Sequence, residues 1–148
     1  MKKGKKMERY KVILVDDEAE VIDMIEKKIH WNDLGFEVAG SATNGVKALE
    51  LVEKLQPDVV LTDIKMPYMD GLELSRRLNR EYPNIYIMLC TGFDEFEYAK
   101  EAVHLEIKEY MLKPVNATEL SESLTNLKHT LDRELSLIHI SEPTRLGM

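Results

Sequence analysis

The sequence predicts an α/β fold built around a five-stranded parallel sheet. Short runs of β-branched and apolar residues alternate with longer stretches of helical period, and the alternation occurs five times along the 148 residues. Consecutive βα units cover both faces of a sheet with helices, so the central strands should be apolar throughout. The chain length suits one domain whose core needs no disulfide or metal.

Five strands are predicted, and the first, third and fourth are almost entirely apolar. Strands buried on both faces lack the polar alternation of strands that face water. The predicted strands are residues 11–15, 36–41, 59–62, 85–90 and 109–112.

The stretches between the strands have the spacing of amphipathic helices. Apolar faces are marked by Ile22, Ile25 and Ile29, by Val46, Leu49, Val52 and Leu55, and by Leu120, Leu124, Leu127 and Leu131. Two further helices are predicted over residues 72–80 and 93–105, which makes five. Asn116 followed three residues later by Glu119 resembles a capping box at the start of the last helix.

Composition and charge exclude several classes of protein. A net charge of -7 argues against this segment gripping a nucleic-acid backbone, so DNA contact is expected only through a further domain. No apolar run approaches the roughly 20 residues that span a bilayer, and no signal peptide is recognisable. The single cysteine, Cys90, lies in an apolar strand, and a reducing cytoplasm is the expected location.

Polar side chains follow four of the apolar runs, where an open parallel sheet binds its ligands. Strand one is followed by Asp16, Asp17 and Glu18, strand three by Asp63, strand four by Thr91, and strand five by Lys113 and Pro114. Carboxyl ends of parallel strands share one edge, so these side chains should converge on one pocket.

Three carboxylates in one pocket repel one another unless a cation sits among them. Mg²⁺ is the best candidate, because one or two carboxylates, a backbone carbonyl and water satisfy it. An acidic pair after a strand is also a common helix cap, and the residues after the other strands favour the metal. Lys113 and Thr91 supply a positive charge and a hydroxyl donor, which describes a site for a phosphoryl group beside the metal.

Four motifs over about residues 10–133 resemble one family. They are D-D-E after strand one, L-T-D-I-K-M-P-Y-M-D-G-L-E-L around Asp63, T-G after strand four and Y-M-L-K-P-V at strand five. Together they resemble the receiver domains of bacterial two-component response regulators. The resemblance implies a doubly wound, flavodoxin-like sheet of order 2-1-3-4-5 and phosphoryl transfer from a sensor histidine kinase to Asp63.

The same resemblance implies roles for the neighbouring residues. Asp16, Asp17, Asp63 and the backbone carbonyl of Lys65 match the metal ligands. Lys113 and Thr91 match the residues that contact the phosphoryl group, Gly92 leaves room for its oxygens, and Pro114 matches a cis-proline. Thr91 and Tyr110 match the switch pair, which remodels the face of the fourth helix, fifth strand and fifth helix and can drive homodimerisation.

Two departures from the family pattern stand out. Glu106 occupies a position where the family usually has glycine, and a positive φ there would strain it by about 1 kcal/mol. The segment H-W-N-D-L at residues 30–34, with Trp31, Gly35 and Phe36, resembles receivers joined to AraC-type helix-turn-helix domains.

The two ends of the chain differ from the rest. Residues 1–9 are expected to be a lead-in, with Met7 an alternative start, and residues 10–134 the receiver domain. Residues 135–145 read LSLIHISEPTR, which matches the conceptual translation of a transposon end and adapter used in sequencing libraries. Leu135 does continue the leucine stripe of a natural helix end, but Pro143 and lost periodicity favour a non-native tail over 135–148.

Function is therefore expected to be that of a receiver in a transcription regulator whose DNA-binding part is missing. A stand-alone receiver is the nearest alternative, and the uninterrupted gene would decide between them. A magnesium phosphatase would need an acid two residues after Asp63, where Lys65 stands instead. A flavin-binding module would need a Ser/Thr/Gly-rich phosphate loop after strand one.

Overall fold

The computed structural model describes residues 9–95 and 105–146, and the described part contains one five-stranded parallel sheet. The strands are β1 Tyr10–Val15, β2 Phe36–Ala42, β3 Val59–Asp63, β4 Tyr86–Thr91 and β5 Glu109–Leu112. Their order is β2-β1-β3-β4-β5, and every neighbouring pair is parallel. The predicted strands and their order are confirmed, with bounds within one residue.

Helices cover both faces of this sheet. Within the described residues they are α1 Ala19–Lys28, α2 Trp31–Leu34, α3 Gly45–Leu55, α4 Gly71–Glu81 and α5 Ala117–Leu146, with a 3₁₀ turn at Phe93–Glu95. The helix predicted over 93–105 falls mostly on residues 96–104, which lie outside the described residues. None of the described helices is both long and apolar enough to cross a membrane.

The core has two layers because successive side chains of a strand point to opposite faces. Val12 and Leu14 of β1 pack with the inner faces of α1 and α5, while Ile13 and Val15 pack with α3 and α4. The four predicted leucines of α5 are all buried. Val46 is the error in the predicted stripes, because it is 45% exposed while Ala48 and Val52 fill the inner face of α3.

The segment after α1 folds into the short helix α2. Trp31 is buried and its indole N–H donates to the carbonyl oxygen of Glu26 at 3.2 Å. Gly35 follows in the left-handed region at φ 90, a conformation that a glycine adopts without steric cost. These residues turn the chain from α1 into β2, where Phe36 is fully buried.

Glu106 does not have the positive φ, or the backbone strain, that its replacement of a family glycine suggested. Among described residues other than glycine, positive φ occurs at Gln56 and Tyr68, and not at Glu106. The side chain of Asn79 in α4 holds this position by accepting the Glu106 N–H at 2.7 Å and donating to its carbonyl at 3.3 Å. These two hydrogen bonds from α4 satisfy the backbone N–H and C=O of Glu106 without a left-handed conformation.

The last helix begins as predicted and continues further than the predicted domain. Asn116 caps α5, because its side-chain oxygen accepts the N–H of Glu119 at 2.9 Å. The helix continues to Leu146 and so includes residues 135–146 of the adapter-like segment, which is residues 135–148. Leu135 and Leu137 in that segment are 44% and 59% exposed, unlike the buried leucines before them.

Candidate functional site

Three aspartates meet at the carboxyl edge of the sheet. Asp16 and Asp17 follow β1 and Asp63 ends β3, and β1 and β3 are adjacent strands. One carboxylate oxygen from each lies within 4.8 Å of the other two. Asp16 and Asp63 are buried and Asp17 is exposed. The sequence-based expectation that these side chains converge is confirmed.

Lys113 lies against the two buried carboxylates. Its Nζ is 3.0 Å from Oδ1 of Asp63 and 3.4 Å from Oδ2 of Asp16. The Lys113 N–H donates to the carbonyl oxygen of Thr91 at 2.8 Å, which fixes the end of β5 beside β4. The peptide bond from Lys113 to Pro114 is cis, as the family resemblance implies. One ammonium group therefore contacts two of the three clustered carboxylates.

The pKa values of Asp16, Asp63 and Lys113 are all raised above their ordinary values. Burial, followed by the charge of Asp16, raises the pKa of Asp63 to about 6 against the opposing effects of Lys113 and the Ile64 N–H. Burial also raises the pKa of Asp16. For Lys113 burial lowers the pKa, but the hydrogen bond to Asp63 and the charges of both aspartates outweigh it and raise the pKa.

The donor set fits a hard divalent cation. Carboxylate oxygens are the ligands that such ions prefer, and the cluster carries more negative charge than Lys113 can balance. Burial first, and the neighbouring carboxylate charges second, raise the pKa values of Asp16 and Asp63, so ionisation of both groups is costly without a further cation. Asp16, Asp17 and Asp63 could therefore hold a divalent metal ion.

Backbone packing around Asp63 depends on a glycine whose role was missed from the sequence. Gly71 donates its N–H to the carbonyl oxygen of Ile64 at 2.7 Å, so the start of α4 lies directly on the residues after β3. A Cβ at Gly71 would be 2.1 Å from the carbonyl oxygen of Asp63. Gly71 appeared in the sequence only as part of the motif around Asp63, and the D-G pair before an apolar run was the available signal.

The end of β4 contributes Thr91 and Gly92. Thr91 is almost fully buried next to the strand that carries Asp63. The N–H of Gly92 donates to Oε1 of Glu95 at 3.0 Å, and a Cβ at Gly92 would be 3.2 Å from Oδ1 of Asp94. Acidic side chains therefore border the space that Gly92 leaves open. Sequence reasoning had singled out neither of them.

Lys65 and Tyr110, the remaining predicted residues, lie in the loop after β3 and in β5. Lys65 follows Ile64 with an exposed side chain, and the ligand role of its carbonyl stays a prediction. Tyr110 in β5 is 39% exposed, and burial raises the pKa of its hydroxyl. Tyr68, at φ 67, is almost fully exposed in the loop between β3 and α4.

Comparison with known proteins assigns the chain to a family. The family described as response regulator receiver domain matches residues 12–125. The chain is 42% identical over 125 residues to the uncharacterized transcriptional regulatory protein YesN of Bacillus subtilis, covering 84% of this chain and 34% of that protein. It is 34% identical over 122 residues to the transcriptional regulatory protein HptR of Staphylococcus aureus, covering 82% and 48%. The chain thus spans less than half the length of these curated relatives.

Solved structures agree. The REC domain of AraT, a response regulator from Geobacillus stearothermophilus, has a TM-score of 0.82 and 39% identity, covering 85% of this chain and 98% of that one. A two component transcriptional regulator AraC from Clostridium phytofermentans has a TM-score of 0.77 and 31% identity, covering 84% and 96%. Both the sequence match and the fold lead to one conclusion: the chain belongs to the response regulator receiver domain family.

Proposed function

We propose that Asp63 is the phosphoacceptor of this receiver domain, and that it takes its phosphoryl group from a sensor histidine kinase. The observation that carries the proposal is a buried aspartate in contact with an ammonium group and beside two further carboxylates. An ordinary structural aspartate would have its charge balanced by its own partners. Asp63 has its charge opposed by Asp16, and Lys113 is shared between them.

The transfer is an in-line displacement at phosphorus. A carboxylate oxygen of Asp63 forms a P–O bond while the P–N bond to the donor histidine breaks, and the freed imidazole keeps the bonding pair and takes up a proton. Lys113 stabilises the negative charge of the phosphoryl oxygens, and Thr91 donates its hydroxyl to one of them. Hydrolysis returns the site to its unphosphorylated state, because attack by water at phosphorus releases inorganic phosphate and restores the Asp63 carboxylate.

Mg²⁺ is the metal that we assign to Asp16, Asp17 and Asp63, with the Lys65 carbonyl as a further ligand. When bound, the ion supplies positive charge to the phosphoryl oxygens as charge redistributes. The chain's own contribution is to crowd three carboxylates at one edge, which favours a cation and disfavours the empty, fully ionised site.

Phosphorylation of Asp63 acts as a switch and not as turnover of a substrate. We propose that Thr91 moves toward the phosphoryl group and that Tyr110, partly exposed on β5, turns inward behind it. The altered face then forms a homodimer or contacts a DNA-binding domain. The transcriptional regulators YesN and HptR, which extend well beyond the matched region, favour that output over a stand-alone receiver. The free thiol of Cys90 favours the cytoplasm as the location.

The proposed domain runs from residue 10 to residue 134, and residues 135–148 are proposed to be a non-native tail. The leucines that pack α5 against the sheet end at Leu131, and Leu135 and Leu137 of the tail are 44% and 59% exposed. We infer that the tail extends α5 without adding to the core.

The first experiment is phosphorylation with acetyl phosphate and Mg²⁺, followed by intact mass. The full chain should gain the mass of one phosphoryl group, and Asp63→Asn should gain none, because an amide cannot accept it. Asp58→Asn is a matched control, since Asp58 accepts a backbone N–H from Lys11 at the opposite edge of the sheet. Undiminished phosphorylation of Asp63→Asn would refute the proposal.

The second experiment separates a metal site from a helix cap. Asp17 is exposed, so Asp17→Ala should remove repulsion at little packing cost and start from a higher melting temperature in EDTA. The full chain should gain stability with millimolar Mg²⁺, while Asp17→Ala should respond weakly. Equal responses of the two proteins to Mg²⁺ would show that Asp17 is not a ligand.

A further inference from the structure

The backbone N–H of Gly92 already carries an anionic partner. Gly92 follows Thr91, the last residue of β4, and its N–H donates to Oε1 of Glu95 at 3.0 Å. The N–H of Glu95 returns to the carbonyl oxygen of Gly92, also at 3.0 Å. These two bonds close the 3₁₀ turn and hold a carboxylate at the end of the strand next to β3.

The direction of this N–H follows from the sheet. The carbonyl of Cys90 accepts from Ile64 on the β3 side, and the carbonyl of Thr91 accepts from Lys113 on the β5 side. The backbone N–H and C=O groups of successive strand residues point alternately toward one neighbouring strand and the other. The N–H of Gly92 is therefore expected to point toward β3. Asp63 is the β3 residue paired with Cys90, which places Gly92 two residues, or roughly 7 Å, further along the strand direction.

The carboxylate of Glu95 and a phosphoryl group on Asp63 would compete for the same hydrogen-bond donor, the N–H of Gly92. Both are oxygen anions, and a backbone N–H forms its stronger hydrogen bonds with such groups. The carboxylate of Glu95 would also repel a phosphoryl dianion in its vicinity. The bond to Glu95 is therefore an obstacle that the incoming group must displace.

We propose that Glu95 is an internal competitor for the phosphoryl group, occupying the N–H of Gly92 until Asp63 is phosphorylated. Glu95 then lowers the affinity of the site for a phosphoryl-like anion, and filling of the site frees its carboxylate and loosens the 3₁₀ turn after β4. The proposal rests on Asp63 as the phosphoacceptor and adds a residue that sets how readily that site is filled.

Neighbouring residues offer a matched control. Asp94 lies in the same turn, and its Oδ1 is near Gly92, but the Gly92 N–H bonds to Glu95. Asp94→Asn removes the same unit of charge as Glu95→Gln and leaves the competing hydrogen bond in place. Glu95→Ala removes both charge and acceptor, and covers the possibility that the glutamine keeps a hydrogen bond to Gly92.

The test is titration of the full-length chain with beryllofluoride in saturating Mg²⁺, followed by fluorine NMR, with thermal melting of each variant. Glu95→Gln and Glu95→Ala should half-saturate at about fivefold lower concentration than the parent chain, which converts to about 1 kcal/mol at 25 °C. Asp94→Asn should change the midpoint by less than about twofold, well below that conversion. A merely structural Glu95 would instead lower the melting temperature and leave the midpoint unchanged or weaker.

The outcomes separate the two proposals. If binding is abolished by Asp63→Asn but unaffected by both Glu95 variants, the competitor role is overturned and the phosphoacceptor role stands. If Asp94→Asn tightens binding as much as Glu95→Gln, general charge explains the effect and the competition for the Gly92 N–H is overturned. If neither the parent chain nor the Glu95 variants bind beryllofluoride, the phosphoacceptor proposal itself fails.

Discussion

The pKa of an aspartate is raised at the carboxyl edge of the sheet and lowered near the amino edge. At the carboxyl edge Asp63 is buried beside Asp16, shares Lys113 with it, and has its pKa raised to about 6. Near the amino edge Asp132 of α5 accepts hydrogen bonds from the hydroxyl of Tyr10 at 2.6 Å and from Nζ of Lys128 at 2.7 Å. Burial raises the pKa of Asp132, but the two hydrogen bonds and the charge of Lys128 together outweigh it and lower the pKa.

The difference lies in how donors are shared. At the amino edge each carboxylate has donors of its own, as Glu134 also has in the hydroxyl of Tyr86 at 2.5 Å. At the carboxyl edge Asp16 and Asp63 share one ammonium group, and burial raises the pKa values of both, with the charge of Asp16 raising that of Asp63 as well. The amino edge ties α5 to β1 and β4 at a gain in stability, and the carboxyl edge gives up stability to hold charges that a ligand can use.

The largest expected effect tests how rigidly the carboxyl edge is built. Gly71→Ala should cost about 3 kcal/mol of unfolding free energy, because its Cβ would meet the backbone oxygen of Asp63 at 2.1 Å. Gly40→Ala is the control, since its closest neighbour is the movable Cδ1 of Leu55 at 3.2 Å. Denaturant melts measure both, and equal losses would show that the backbone at Asp63 yields.

The next effect tests whether ionised Asp63 destabilises the fold. Its folded pKa of about 6 lies above its ordinary value, so its stabilising contribution is complete below about pH 4 and is lost as the pH rises through 6. Asp63→Asn cannot ionise. In EDTA it should therefore gain about 2 kcal/mol over the parent chain at pH 8, with the gain shrinking toward pH 4. A gain independent of pH would refute this account.

A smaller effect tests the amino edge. Tyr86→Phe should cost about 1 kcal/mol, because the exposed side chain of Glu134 loses a hydrogen bond that water partly replaces. The pKa of Tyr86 is raised to about 12 by burial and then by Glu134. A double-mutant cycle with Glu134→Gln isolates the pair, and a coupling energy near zero would make this edge no more than a solvated surface.

The smallest effect concerns the adapter-like segment. A chain ending at Glu134 should unfold within about 0.5 kcal/mol of the full chain, because Leu135 and Leu137 are largely exposed and the buried leucines precede them. The Tyr86 contact to Glu134 survives this truncation. A loss above about 2 kcal/mol in thermal or denaturant melts would mean that residues 135–148 pack as a natural helix end.

Two errors of the sequence-based predictions have physical causes. Val46 fits the apolar stripe of its helix, but Gly45 lies against Met69 and rotates the buried face toward Ala48 and Val52. Glu106 replaces a family glycine without a positive φ because Asn79, 27 residues earlier, supplies hydrogen bonds to its backbone. Neither relation is visible locally, since each depends on a contact between separate elements.

The sequence by itself determined the five strands, the positions of Asp16, Asp17, Asp63, Thr91 and Lys113 after them, and the cap at Asn116. Apolar runs and strand ends are local properties, and parallel strands necessarily gather their carboxyl ends at one edge. Only the tertiary structure decided that Lys113 is shared between two aspartates, that Gly71 packs on the backbone of Asp63, and that Glu95 accepts the N–H of Gly92. Those contacts depend on distances between elements, which periodicity and spacing do not encode.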